Sequence, residues 1–397
     1  MVWKESCILD QRIMFVRDCL CGEWTMTELC ERYGVSRKSG YKWIARHAAE
    51  GLAGLCDRPR APLRHGRATP GDVAEAVVAL RLARPHWGPR KIVARLAARQ
   101  PGVGWPSAST AGELLRRAGL VSARRLARRA PPRLGELTVP LRPGHVWSVD
   151  HKGWVRLGDG TRCEPLTLAD GFSRYLIGAF ATCGTTHEEA RPLFERAFRE
   201  HGLPEVIRSD NGSPFASAGV TGLTRLSAWW ARLGIAHERT DPGSPQQNGR
   251  HERMHLTLKE AMHPPAPDRA AQARRFEAFA RDYNEERPHE ALGQRPPAEF
   301  YAPAPRQMPA RDPEPDYPAG AAVRVVRANG EIRWLGRLVA VSTALAGEPV
   351  AVEEDENGDL TLRYYAKPLG RIDPKDMKLR PAALKGGGAD KNETGKL

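Results

Sequence analysis

The sequence predicts a multidomain chain: α-helical units at the N-terminus, a central α/β core with a mixed sheet, and a small all-β domain near the C-terminus. Three observations carry this. The chain has 397 residues, more than a single hydrophobic core usually serves. Its apolar spacing is helical over the first third and turns strand-rich from about residue 145. A Pro-rich stretch at 302–320, APAPRQMPARDPEPDYPAG, divides that middle region from a final block of alternating strands.

Residues 10–47 read as three short helices. Asp10 to Leu20 is the first, and Met26–Tyr33 stops at Gly34. Ser36 is placed to cap a third, SRKSGYKWIARH. Leu29, Val35 and Ile44 supply a small core, and Arg37, Lys38, Lys42 and Arg46 are expected outside. A short helix, a Gly turn and a basic helix make a helix-turn-helix, whose second helix enters the major groove. The same pattern also fits a plain helical hairpin with a solvated basic face. Gly40 inside the third helix costs it roughly 1 kcal/mol.

A second helical unit follows. Asp72–Arg84 is strongly apolar, WGPRKIVARLAAR carries Pro89 near its first turn, and Ser107–Ala118 ends at Gly119 with Arg116 and Arg117 exposed. Thr110 and Glu113 have capping-box spacing. Arg124, Arg125, Arg128 and Arg129 then form a basic linker, either tracking DNA backbone or serving as a solvated hinge.

From residue 145 three β-rich runs, HVWSVDHKGWVRL, RCEPLTLAD and RYLIGAFAT, suggest an antiparallel meander. A helix with a Thr186–Glu189 capping box follows, with Pro192 as a tension in it. Strand EVIRS leads to Asp210, helix Leu223–Leu233 stops at Gly234, strand IAHER follows, and a helix starts near Asn248. The order βββαβαβα is an α/β arrangement. In the last block Asn329-Gly330 and Asn357-Gly358 are hairpin turns. The expected boundaries are 1–60 and 61–122 for the helical units, 123–140 for the basic linker and 141–301 for the core. They continue with 302–320 for the Pro-rich linker, 321–380 for the β domain and 381–397 for a disordered tail.

Composition narrows the function. With 41% hydrophobic and 27% charged residues the chain is neither disordered nor membrane-embedded by type. Lys and Arg outnumber Asp and Glu by 61 to 47, a net charge of +14. That favours a polyanionic partner such as nucleic acid, though a merely basic soluble protein has the same balance. The seven Cys show no zinc spacing, and their odd number argues against a disulfide framework. MVWKESC opens without a secretory pattern and no 18-residue apolar run occurs, so a reduced, cytoplasmic protein without a membrane partner is expected.

Three acids stand out by where the chain puts them. Asp150 lies on the first strand, between Trp147, Val149 and Trp154. Asp210 closes VIRS ahead of Asn211-Gly212, and Glu252 lies one turn into a helix. Strand ends and helix starts are rigid mounts. In-line attack on a phosphodiester needs both the entering and leaving oxygens stabilised, which two Mg²⁺ ions about 3.5–4 Å apart achieve, with carboxylates as their preferred ligands. Taken singly, each acid fits equally well as a cap, turn residue or surface charge, the role assigned to Asp170, Glu238 and Asp241.

The surrounding blocks closely resemble DDE-type transposases and retroviral-like integrases, particularly insertion-sequence transposases of the IS481 and IS3 kind. They are WSVDHKG around Asp150, LADGFSRY at 168–175, RSDNGSPF around Asp210, DPGSPQQNGRHERMHLTLK around Glu252 and YNEERPHEALGQRPPAEFY at 283–301. The resemblance implies an RNase H-like core with Asp150, Asp210 and Glu252 holding two Mg²⁺, for which Mn²⁺ can substitute. It also implies helix-turn-helix domains on the element's terminal inverted repeats, an SH3-like C-terminal domain, double-stranded target DNA and a homo-multimer on that DNA. The Asp210–Glu252 interval exceeds the family's usual spacing, and the excess is read as a loop insertion at Ala216–Trp230. Gln247-Asn248-Gly249 resembles a mobile active-site loop. Asn248, Arg250, Arg253, His255 and Lys259 are the expected DNA contacts around it, with His255 and Lys259 on the Glu252 face, while His289 is expected to be structural. Two other readings remain open: an RNase H-like nuclease that only hydrolyses, and a catalytically dead DNA-binding regulator.

Overall fold

The computed structural model describes residues 7–58, 68–121, 137–241, 247, 249–355 and 358–381. The chain divides into two compact units, Met1–Thr69 and Pro70–Leu397. Arg124, Arg125, Arg128, Arg129, Asn248 and the C-terminal tail lie outside the described residues.

The first unit holds α1 (Ile8–Leu20), α2 (Met26–Arg32) and α3 (Arg37–Glu50). Each starts on a side chain that occupies an orphan backbone N–H. Cys7 caps α1, Thr25 caps α2 in a reciprocal pair with Glu28, and Ser36 accepts from the N–H of Ser39. Phe15, Val16, Leu29, Cys30 and Leu55 form the core. Gly40 has a packing reason: a Cβ there would lie 2.9 Å from both Cys30 Sγ and Phe15 Cζ. Absence of a side chain lets α3 approach α1 and α2.

In the second unit, α4 (Gly71–Ala83), α5 (Pro89–Arg99) and α6 (Ala108–Arg117) close on Val77, Trp87, Ile92, Leu96, Ala111 and Leu115. The expected Thr110–Glu113 box does not form. Ser107 is the cap, one position before α6, and Glu113 instead pairs with Arg116 at 2.7 Å and Arg117 at 3.0 Å.

The central sheet runs β5 (Leu176–Phe180), β4 (Leu166–Asp170), β1 (Val146–His151), β6 (Val206–Ser209), β7 (Ala236–Arg239). The first three are antiparallel, and β6 and β7 join in parallel, a mixed sheet. Strand β1 ends at His151, and the rest of its run makes the small β2 (Val155–Arg156) and β3 (Arg162–Cys163) pair. Trp154 is thus exposed and gives Asp150 no support.

One face of the sheet packs α7 (His187–His201) and α8 (Arg225–Arg232) through Trp147, Val149, Phe194, Phe198, Ile207, Trp229 and Trp230. The other carries α9 (Gly249–Met262) and α10 (Arg269–Arg281) through Met254, Leu258 and Phe276. Helix α7 is continuous through Pro192. Its cap is one-sided: Thr186 accepts from Glu189 N, but the Glu189 carboxylate turns to the N–H of Cys183. The expected insertion at Ala216–Trp230 is only partly a loop. Residues 225–230 belong to α8, because Trp229 and Trp230 have apolar partners on the sheet.

The Pro-rich segment is strapped to the core, with Arg306 donating to the carbonyls of Leu233, Gly234 and Pro204. Beyond it lie β8 (Ala322–Val325), β9 (Glu331–Trp334), β10 (Arg337–Ala340), β11 (Pro349–Glu354), β12 (Leu360–Tyr364), β13 (Lys367–Ile372) and β14 (Leu379–Pro381). The five-stranded sheet is ordered β14-β13-β12-β11-β8, and β9 pairs with β10. Around Asn329-Gly330 no β8–β9 ladder forms, since β8 pairs with β11. The tight hairpin is β9–β10, turning at Leu335-Gly336, both at positive φ. The expected turn near Asn357-Gly358 does join β11 to β12, with Asn357 itself outside the described residues.

Truncating Trp230, fully buried against Phe194, Phe215 and His237, should destabilise the core by about 3–5 kcal/mol. Guanidinium unfolding of Trp230→Ala beside Leu82→Ala, whose side chain is exposed, measures this. Equal, small losses in both would contradict the packing described.

Candidate active site

Strand pleat decides which residues reach α9. Trp147 and Val149 face the α7–α8 layer, so Asp150, of opposite parity, faces α9. Its direct cross-strand partner is Thr167 on β4. Asp210 follows β6 immediately, where its Oδ1 accepts the N–H of Gly212 at 3.0 Å and holds the turn. Glu252 sits in the first turn of α9, exposed.

Two of these carboxylates act on the third. Burial first, then the negative charge of Asp210 and, more weakly, that of Glu252 push Asp150 up to about 7, while a backbone hydrogen bond from His151 and the Lys152 charge oppose them. Hard oxygen donors of this kind fit a divalent cation of the Mg²⁺ type.

Behind Asp150 lies a buried polar cluster that the sequence reading did not anticipate. His251 and His255 are 1% and 4% exposed. Both present Nε2 to the Thr167 hydroxyl at 2.7 Å. Thr167 Oγ1 also lies 3.0 Å from the carbonyl oxygen of Asp150, and His255 Nδ1 lies 3.6 Å from Asp150 Oδ2. One ligand-type atom from each of Asp150, His251 and His255 falls within 4.8 Å of the others. The signal was present as two His at i and i+4, interleaved with Met254, Leu258 and Met262 on one helical face.

That placement corrects two expectations. His255 is turned into the core and offers nothing to DNA, because the exposed face of α9 is Glu252, Arg253, Leu256 and Lys259. Arg250 is partly buried and donates to the Gly171 carbonyl at 2.9 Å, tying the start of α9 to the turn after β4. In the first unit, Arg37, Lys38 and Lys42 are exposed as expected, but Arg46 is half-buried and bonds the Cys56 carbonyl at 3.0 Å. Asp170 and Glu238 are not surface residues. Asp170 is buried and accepts from Gly144 N, Ser173 N and Ser173 Oγ. Glu238 pairs with Arg208 at 2.9 Å. Asp241 holds a turn with Gln247, as assigned. His289 pairs through its backbone with Arg295.

Comparison with known proteins agrees with this architecture. Residues 140–245 and 233–297 match integrase core domain families, and 9–56 and 39–115 match homeodomain-like domains. The insertion element IS407 uncharacterized 31.7 kDa protein of Burkholderia multivorans is 31% identical over 192 residues, 48% of this chain and 67% of the relative. The insertion element IS476 uncharacterized 39.2 kDa protein of Xanthomonas euvesicatoria is 31% identical over 184 residues, 46% of this chain and 51% of the relative. The HTLV-2 integrase catalytic core domain in complex with magnesium covers 41% of this chain and 99% of its own at 17% identity, with a TM-score of 0.33. Core, helical domains and relatives together define the class, integrase-core polynucleotidyl transferases that act on DNA. The chain belongs to the DDE-type transposases of insertion elements, of the IS481/IS3 kind.

Burial holds His237, His251 and His289 at about 3 and His255 at about 2, against an ordinary 6.5. Imidazoles whose folded pKa is depressed give stability that is complete above pH 6.5 and is lost as pH falls toward 3. Asp150, raised toward 7, and the raised Glu260 and Asp282 work in the opposite direction, but the depressed imidazoles, which also include His86, His151, His187 and His201, outnumber them. The thermal midpoint should therefore drop between pH 7 and pH 4.5, with His237→Asn showing a smaller drop. A midpoint that held or rose on acidification would contradict the neutral buried imidazoles.

Proposed function

We propose that Asp150, Asp210 and Glu252 are the metal-binding carboxylates of a transposase that cuts a DNA strand at the element's end and joins the exposed 3′-hydroxyl to target DNA. The observation that supports this is that Asp210, at the end of β6, and Glu252, at the start of α9, both act through their charge on the buried Asp150 of β1. Asp150, Asp210 and Glu252 would together hold two Mg²⁺ ions, with Mn²⁺ as a substitute. Such a pair supplies Lewis-acid stabilisation of the attacking and leaving oxygens.

The protein's own share is placement. The β1–β4 ladder fixes Asp150, the Asx turn at Asn211-Gly212 fixes Asp210, and α9 presents Glu252 with Arg253 and Lys259 on its exposed face. Arg253 and Lys259 are suited to the phosphates flanking the cleaved bond. Arg37, Lys38 and Lys42 on exposed α3 suit the major groove of the terminal inverted repeat. Arg124, Arg125, Arg128, Arg129 and Asn248 keep their assignment to DNA on sequence grounds. The C-terminal β domain, of SH3-like type, adds backbone contacts or assembly, and two ends held together call for a homo-multimer on DNA.

Asp210→Asn and Glu252→Gln should each reduce strand transfer with a cognate end on the order of a hundredfold or more, while leaving end binding nearly intact. Cleavage and joining assayed separately, beside gel-shift binding, check this. Joining at the parental rate in Asp210→Asn would defeat the mechanism, and cut but never joined products from the parental protein would reduce it to a nuclease.

A further inference from the structure

We propose that the cleft where α7, α8 and the turn Thr343–Leu345 meet is a phosphate-binding subsite, with Arg191 and Arg225 as its cations. It shares no residue with the Asp150, Asp210 and Glu252 site, does not depend on their reading as metal ligands, and uses side chains to which no role was given.

Helices α7 and α8 lie side by side on the sheet, and the turn Thr343–Leu345, which follows β10, packs against α8. Between them is a cavity of about 250 Å³ whose lining includes His187, Arg191, Arg225, Trp229, Arg232 and Glu348. Arg232 is already matched: it pairs with Glu348 and, at 2.7 Å, with Asp312. Glu348 also accepts from the Tyr364 hydroxyl at 3.1 Å. Arg191 and Arg225 form no ion pair or side-chain hydrogen bond among the described residues. Both cations act through their charge on His187, with Glu188 opposing them, so the two lie around the same ring. The cleft therefore carries a positive charge that its own carboxylate does not cancel.

Buried donors ordinarily find an acceptor. Here Arg191 Nε, Arg232 Nε and the indole N–H of Trp229, a residue 2% exposed, have none among the described residues, and His187 Nδ1 is also without a partner. The first three can donate but not accept. What the cleft calls for is thus an acceptor of negative charge. The Arg191 guanidinium lies 4.0 Å from the Trp229 ring centroid, and such stacking holds the planar fork in one orientation. Several donors around one cavity suit a group with more oxygens than the two of a carboxylate, and arginine forks match phosphate oxygens in pairs. Arg225 is exposed at the start of α8, which leaves the cleft open to a phosphodiester of a DNA strand as well as to free phosphate.

The test uses the full-length protein and two probes, with circular dichroism as the folding check. In calorimetric titration with inorganic phosphate at constant ionic strength, Arg191→Gln and Arg225→Gln should each raise the dissociation constant about tenfold or more. Arg191→Lys, which keeps the charge but not the fork, should recover little of that loss. Arg281→Gln, which removes an exposed arginine at the end of α10, is the control for bulk charge and should bind phosphate as the parent does. The second probe is double-stranded DNA carrying an element end. If a DNA phosphate occupies the cleft, the slope of log affinity against log salt should fall in magnitude by about 0.9 in Arg225→Gln and stay unchanged in Arg281→Gln. Weaker phosphate binding with an unchanged slope assigns the subsite to free phosphate instead. Parental phosphate affinity together with a parental salt slope in Arg225→Gln overturns the proposal, and so do equal losses in Arg281→Gln. Should Arg191→Gln fail to fold once its stacking on Trp229 is lost, the exposed Arg225 decides alone.

Discussion

The core is organised around one constraint, that the like charges of Asp150, Asp210 and Glu252 are held within reach of one another with only Lys152 opposing them at Asp150. Like charges repel, and the more so where burial lowers the effective dielectric. A loop carrying them would simply separate them. Here the carriers are a central strand, the end of its parallel neighbour and a helix packed across the sheet, none of which can withdraw without breaking ladder pairing or core contacts. The two aromatic-rich layers on the α7–α8 side supply that rigidity. Trp147, Trp229, Trp230, Phe194 and Phe198 have no part in the chemistry, yet they set the sheet against which Asp150 and Asp210 are measured.

The polar cluster under Asp150 is a product of the same packing. Cross-strand pairing puts Thr167 directly opposite Asp150, where its hydroxyl meets the Nε2 atoms of both His251 and His255, and burial holds the pKa of both rings low.

Much of this was legible in the sequence, and what was not has a physical reason. Helix starts at Ser36 and Thr186, and the parity that turns Asp150 away from Trp147, follow from local rules. The Asp150, Asp210 and Glu252 blocks could be found because each sits at the end of a strand or the start of a helix. What misled was reading a helical face from spacing to a single residue. His255 was set beside Glu252 and Lys259, yet residues three apart differ by about 60° around a helix axis. Only the apolar Met254, Leu258 and Met262 reveal which side is covered. Likewise Ala216–Trp230 looked like inserted loop by length, although paired tryptophans in a helix-competent run are a burial signal. Asn329-Gly330 has hairpin chemistry, but β8 finds its partner in β11, and a turn dipeptide says nothing of distant pairing.

Charge also arranges the second unit internally. Arg84 and Asp282, Arg90 and Glu290, and Arg95 and Arg99 with Glu286 pair α5 and its preceding turn with the acidic segment after α10, and His86 meets Glu260 on α9. Most of these pairs are half-exposed, and such pairs contribute little each to stability. Their effect lies in direction: they occupy the three arginines of α5 that pair with carboxylates, while Arg253 and Lys259 on the exposed face of α9 carry no such ion pair. A chain with 61 Lys and Arg would otherwise offer phosphate a foothold almost anywhere. Covering some of its cations with its own carboxylates reduces the number of surfaces on which a polyanion can settle.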